Sequence, residues 1–272
     1  MDTDEFLRGA ADCDKLGRAL DVTGNPAAIL ALSWYSRTGG RGGETMIVLP
    51  YKDSLELFAK YLQQLTMESL GKEFDLDGRE VHQGLVVMGN KGSSDQHSYV
   101  QQLVAGPSNI FVAFIQVLRG RAGVSPVVGE DSTSGDYLNA FMLGTKKALE
   151  SHGKKTMTIT IPEVNAYYVG QLIALFERAV GIYAEMISIN AYDQPAVEWG
   201  KKAAGGLITL KNAALAALAA KPGTARTAEE LAGELDADPA DVFRLMMSLA
   251  ANEPTVEFRP AEPVWNSGFA VK

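Results

Sequence analysis

The chain has 272 residues, 46% of them apolar, with a net charge of −8 and a pI near 5.0. That is enough material for a large core, and its acidity speaks against a polyanion as main partner while leaving room for a local basic cleft that takes a small phosphate ester. A single cysteine, Cys13, forms no internal disulfide and no thiolate cluster for zinc, which favours a reducing compartment; no apolar run approaches the roughly 18 residues of a membrane span, and the opening MDTDEF is unlike a secretory or organellar signal.

Residues 5–23 predict a short helix that Asn25-Pro26 ends. AAILALSWYSR is apolar nearly all round, as a buried helix is, and the glycines of RTGGRGG close it. Arg37 and Arg41 in that loop could clamp a phosphate, but a basic glycine loop is more often an exposed connection. TMIVLP suits a central strand buried on both faces, and Asp53 or Ser54 can cap the next helix. In that helix Leu57, Tyr61 and Leu65 recur at four-residue steps beside Phe58 and Leu62, so this side is apolar. Lys60, Gln64 and Glu68 recur likewise and line an ammonium, an amide and a carboxylate along a second face. This face is either a solvated one with a weak ion pair or the place of a general base, Glu68, with an amide one turn before it.

EFDLDGREVHQG alternates around Asp77-Gly78, a hairpin signal, and LVVMG follows as a second buried strand. GNKGSSDQH then predicts a glycine-rich loop and a helix that starts near His97, capped by a Ser or Asp. NIFVAFIQVL and KTMTITIP read as third and fourth strands, with Met157, Ile159 and Ile161 on one side of the latter. Between them GDYLNAFMLGTKKALESHG reads as a helix; Tyr167 to Met186 is helical, and Pro195 opens a helix through about Ala220. Strands alternating with helices of this length specify an α/β fold, a doubly wound, mostly parallel sheet.

From Lys221 onward the character changes: two short helical patterns are separated by Asp238-Pro239 and followed by the strand-like TVEFRP, an order suited to a winged helix. The expected domains are 1–220 and a small, mainly helical or winged-helix-like extension, 221–272. Acidic residues outnumber basic ones in this tail, so no nucleic acid is expected as its partner. GNKGSSDQH matches neither G-x-G-x-x-G nor the phosphate loop that ends in GK[ST], so a nucleotide is not indicated either. A histidine at a helix start is usually structural, though the positive helix end would keep His97 neutral and able to exchange protons with a hydroxyl. In INAYDQPAVEWGKKAA, Gln194 and Lys201 stand seven residues apart, two turns along one face.

The runs LPYKDSLELFAKYLQQLTMESLGKEFDLDG, GNKGSSDQHSYVQQL and INAYDQPAVEWGKKAA resemble the signature regions of glucose-6-phosphate isomerase, closest to its bacterial and plastid-type branch. The resemblance covers about residues 5–220. It implies a sugar-isomerase (SIS) domain, a flavodoxin-like three-layer sandwich; the family has two, and this chain looks like the second one plus the carboxyl-terminal tail. It further implies that Glu68 is the base that moves a proton between C2 and C1 of the open-chain sugar through a cis-enediol. His97 and Lys201 then assist ring opening from its two sides, and Gln64 and Gln194 contact substrate. The implied substrates are glucose 6-phosphate and fructose 6-phosphate, in glycolysis and gluconeogenesis; no metal and no organic cofactor is implied. A homodimer is expected, in which the histidine reaches into the partner subunit's site. The address is cytoplasmic, or plastid if a targeting segment lies on the amino half.

One departure is that the family's phosphate-binding Ser/Thr loops, and an arginine that stabilises the enediolate, belong to the first SIS domain, which has no counterpart here. The chain is then a fragment or half of a split enzyme, inactive without that domain, or it is a non-catalytic SIS module that binds a sugar phosphate or a partner protein.

Overall fold

In the computed structural model, which describes residues 2–272, the chain opens with α1 (Thr3–Leu16), a 3-10 turn (Val22–Gly24) and α2 (Pro26–Thr38), and then enters β1 (Thr45–Pro50). Local chemistry fixes these ends. The Asp2 carboxylate accepts from the Asp4 and Glu5 N–H groups, and Asn25 caps α2 through Ala28, with Pro26 in the first turn and Gly39 left-handed at its close. Arg37 is spent locally, in a two-pronged bond to Glu44, so it is no phosphate clamp.

After β1 come α3 (Phe58–Gln63), the hairpin β2 (Lys72–Phe74) and β3 (Glu80–Gln83), and β4 (Val87–Gly89). Two short helices follow, α4 (Gly92–Asp95) and α5 (Val100–Ala105), then β5 (Ile110–Val117), α6 (Ser134–Ser151), β6 (Lys155–Ile161) and α7 (Ala166–Met186). The four long-range strands form a parallel sheet in the order β4-β1-β5-β6. Alternate residues of β1 and β5 face opposite layers. Met46, Val48, Phe111 and Ala113 pack with α2, α3 and α7, whereas Ile47, Leu49, Val112 and Phe114 pack with α5 and α6. This is the expected α/β three-layer sandwich. The chain leaves β1 for β4 on one side and then returns past it to β5 and β6, so the carboxyl ends of β1 and β5 flank the point where the winding reverses.

α1 lies on the outer side of α7. Their crossing is set by two glycines: a Cβ on Gly9 would run into the Tyr167 carbonyl, and one on Gly170 into that of Phe6. Rigid backbone has nowhere to go, so Gly170→Ala should destabilise the first unit by about 1–3 kcal/mol, read as a lower urea midpoint at unchanged slope.

The chain divides at Gln194/Pro195, earlier than the boundary near 220 expected from the sequence. The second unit begins with α8 (Pro195–Ala219), whose Ala214 and Leu218 are buried in its core. It continues with β7 (Arg226–Thr227), α9 (Ala228–Leu235), α10 (Pro239–Asn252), β8 (Val256–Arg259) and β9 (Gly268–Val271). Its antiparallel sheet runs β7-β9-β8 around Phe269, with Leu231, Val242 and Met246 packed in the same cluster. A Thr227–Glu230 capping box starts α9, and Asp238 with Pro239 starts α10. Among the described residues no helix is long and apolar enough to cross a membrane.

Candidate active site

Glu68 does not sit on a regular α-helix. After Gln63 the helix widens into a π-helical turn, Gln64–Glu68, a form that accommodates one extra residue and often marks functional positions. Phe58 and Leu62 carry the core, while Leu57, expected on the buried side, stands just before α3 and is 69% exposed. Neither Asp53 nor Ser54 caps α3; they fall in or beside a separate 3-10 turn, Asp53–Leu55. Gln64 and Glu68 are both exposed, and the Gln64 amide Nε2 stands 3.5 Å from Glu68 Oε2, a loose contact.

The main chain beneath Glu68 is held more firmly than its side chain. Lys72, only 7% exposed, donates from Nζ to the carbonyl of Glu68 at 3.1 Å and to that of Ser69 at 2.7 Å. These carbonyls belong to the negative end of the helix, where an ammonium is favoured. Burial pushes the Lys72 amine below its ordinary value, and the charge of Asp193 pulls it back up. Sequence reading gave Lys72 no role, because a lysine just past a helix looks like a solvated one.

His97 lies in the turn 96–99 between α4 and α5, and not at a helix start as expected; α5 begins only at Val100. Its imidazole is exposed and makes no hydrogen bond among the described residues, although its neighbours are pinned. Gln96 donates to Thr145 Oγ1 on α6 at 2.9 Å, Tyr51 donates to the same oxygen at 3.2 Å, and Gly92 lies close against the Tyr51 ring. The turn leaves β4 at its carboxyl end, on the side of the sheet where open α/β folds place ligands.

Gln194 is exposed and is the last residue of the first unit, outside the helix that was expected to carry it with Lys201 on one face. Lys201 belongs to the second unit, on α8, and pairs with Glu198 at 2.7 Å on an exposed surface. The structure thus brings Gln64 and Glu68 together and places Asp193 near their support, whereas His97 stands on a separate turn and Lys201 in a separate unit. At the carboxyl ends of the strands, a cavity of about 300 Å³ is lined by Tyr51, Gln116, Ser125, Thr133 and Asp136, and one of about 590 Å³ by Lys52, Arg119, Arg121 and Glu163. Neither includes Glu68 or His97. A larger cavity of about 800 Å³ between α1 and α7 is mostly apolar and also lacks them.

The family model of phosphoglucose isomerase matches residues 2–133 and 130–217. A glucose-6-phosphate isomerase of Desulfitobacterium hafniense is 56% identical over 274 residues, covering 100% of this chain and 51% of that protein. One of Geobacter sulfurreducens is 52% identical over 271 residues, covering 98% and 51%. The chain therefore spans about half the length of the relatives it matches. Among solved structures, a glucose-6-phosphate isomerase of Chlamydia trachomatis superposes with a TM-score of 0.69 at 26% identity, over 76% of this chain and 43% of that one. The family match over residues 2–217 and the identity to these relatives lead to one placement: the chain belongs to the phosphoglucose isomerase family.

Proposed function

We propose that this chain is the carboxyl-terminal half of a glucose-6-phosphate isomerase, acting in the cytoplasm on glucose 6-phosphate and fructose 6-phosphate. The observation that carries the reading is Glu68, an exposed carboxylate whose main chain is anchored by a buried ammonium, inside the stretch that the family match covers. In the proposed reaction His97 and Lys201 exchange protons with the ring oxygen and the anomeric hydroxyl, which opens the sugar. Glu68 then takes the proton from C2, the electrons of that C–H bond form the C1–C2 double bond, and the carbonyl oxygen at C1 takes up the negative charge. Return of the proton to C1, with passage of the O2 proton to O1, leaves the carbonyl at C2 and a hydroxyl at C1. Gln64 and Gln194 hold hydroxyls. The change is redox-neutral within the sugar and calls for no cofactor.

Two requirements point to a second half. A carboxylate works as a base near neutral pH when its surroundings exclude water, and Glu68 stands exposed, so another surface has to cover it. The phosphate, whose remote binding energy drives such a reaction, also needs donors of its own. We assign both to a first SIS domain, within a dimer. The test is to assay the purified chain, with and without that domain, for isomerisation and for exchange of the C2 proton with solvent. Exchange in the combined sample is expected. Exchange in neither sample would remove the enzyme reading and leave a non-catalytic SIS module, which calorimetric titration with glucose 6-phosphate would then examine.

A further inference from the structure

One buried acid has no part in these proton transfers. Asp95 is 1% exposed, the only acidic side chain in the core of the described residues, and lies two positions before His97. Its carboxylate accepts the Tyr99 hydroxyl, and Asn90 and the Lys91 main chain lie near enough to favour its charged form. Asn90 follows directly on the last residue of β4, and Tyr99 is the last residue of the His97 turn. Asp95 thus joins the two ends of the turn, its carboxylate holding Tyr99 and its N–H the Lys91 carbonyl. The backbone closes the same loop: Asp95 N–H donates to the Lys91 carbonyl, and the His97 and Ser98 N–H groups to those of Ser94 and Asp95, all at 3.0–3.1 Å.

Burial holds the Asp95 carboxyl above its ordinary value, while the bonds from Tyr99 and Asn90 draw it back down. An ion enclosed in this way costs stability, and a neutral side chain of the same shape would serve the core as well or better. What the carboxylate adds is charge-assisted anchoring of the Tyr99 end of the turn.

We propose that Asp95 is a positioning residue, fixing the Asn90–Tyr99 turn so that the otherwise unrestrained His97 imidazole stands where it exchanges a proton with the sugar ring. The proposal rests on the ring-opening role given to His97 above. Its test compares wild type with Asp95→Asn, which keeps the shape and one acceptor, and with Tyr99→Phe, which removes the donor from the opposite side.

The substrate is glucose 6-phosphate carrying hydrogen or deuterium at C2, in the preparation that supports wild-type turnover. Both variants should lose about 10- to 100-fold in kcat/KM, as expected when a reacting group is held slightly out of place. The deuterium effect on kcat/KM should move toward 1, since ring opening, which breaks no C2–H bond, becomes the slow step. That ratio is taken within one preparation, so a smaller folded fraction leaves it unchanged. A fall in rate with an unaltered isotope effect, or no fall, overturns the proposal.

A second measurement needs no turnover. The chain has three histidines, and in ring proton–carbon NMR spectra the variants should alter the His97 signal while those of His82 and His152 stay in place. If wild type turns over no sugar, the isomerase reading fails on its own account and this spectrum decides. An unmoved His97 signal then refutes the anchoring by Asp95.

Discussion

Glu68→Gln is expected to abolish both isomerisation and C2 proton exchange, by about 10³-fold or more, in whichever preparation supports wild-type turnover. The amide keeps the size of the carboxylate but has no basic lone pair at neutral pH, so the proton on C2 has nowhere to go; a positioned general base contributes about 10² to 10⁴-fold. The fold should not notice the change. Glu68 is exposed, its one side-chain hydrogen bond among the described residues is the loose one from Gln64, and Lys72 holds the main-chain carbonyl, which the substitution keeps. Denaturation should therefore agree with wild type to within about 0.5 kcal/mol. A Glu68→Gln protein with normal turnover would take Glu68 out of the role, whatever the family match.

The largest effect on stability is expected from Phe176→Ala. Phe176 is fully buried between α7 and its neighbours, with its ring centroid 5.6 Å from that of Phe58 in an edge-to-face contact and 6.1 Å from that of Trp34. Removing it opens a cavity that rigid helices on one side and the sheet on the other cannot close, at a cost of about 3–5 kcal/mol. Against a total of about 5–15 kcal/mol, that should shift the urea midpoint strongly and unfold a large share of the chain at 37 °C. Trp34→Phe, in the same cluster, should cost far less than Phe176→Ala. The Trp34 Nε1–H is buried without a partner, so the loss of ring volume is offset by relief of an unsatisfied donor.

Much of the architecture was legible because apolar runs and their punctuation survive folding unchanged. TMIVLP and NIFVAFIQVL are β1 and β5, buried on both faces as their composition requires, and Asp77-Gly78 turns the β2–β3 hairpin with Gly78 at φ 77°. Asp238-Pro239 likewise separates α9 from α10. What escaped reading depends on a single inserted residue or on burial decided elsewhere. A steady four-residue period through Leu57, Tyr61 and Leu65 describes a regular helix, and nothing in composition announces the wider turn that follows it. β7 is two residues long, too short for any period.

The candidate site divides in the same way. Spacing put Gln64 and Glu68 together, and they do touch, but it also joined Gln194 to Lys201, which the start of α8 separates. Asp95 looked like a helix cap, since Ser and Asp before a helix usually are; it bonds Tyr99 one turn on, and α6, which packs against α4, is distant in sequence. Lys72 was hidden for the converse reason, because a long charged side chain can be buried along its stem and spend its ammonium on carbonyls.

The wide turn at Gln64–Glu68 also bears on how such a chain could drift or be redesigned. Each residue of an ordinary helix advances the direction of its side chains by about 100°, so deleting one residue from this turn would restore regular hydrogen bonding and swing everything behind it by roughly a quarter-revolution. Lys72 would then face away from the carbonyls it now holds. The wide turn thus keeps Lys72 and the Glu68 carbonyl in an arrangement that an uninterrupted helix would not give.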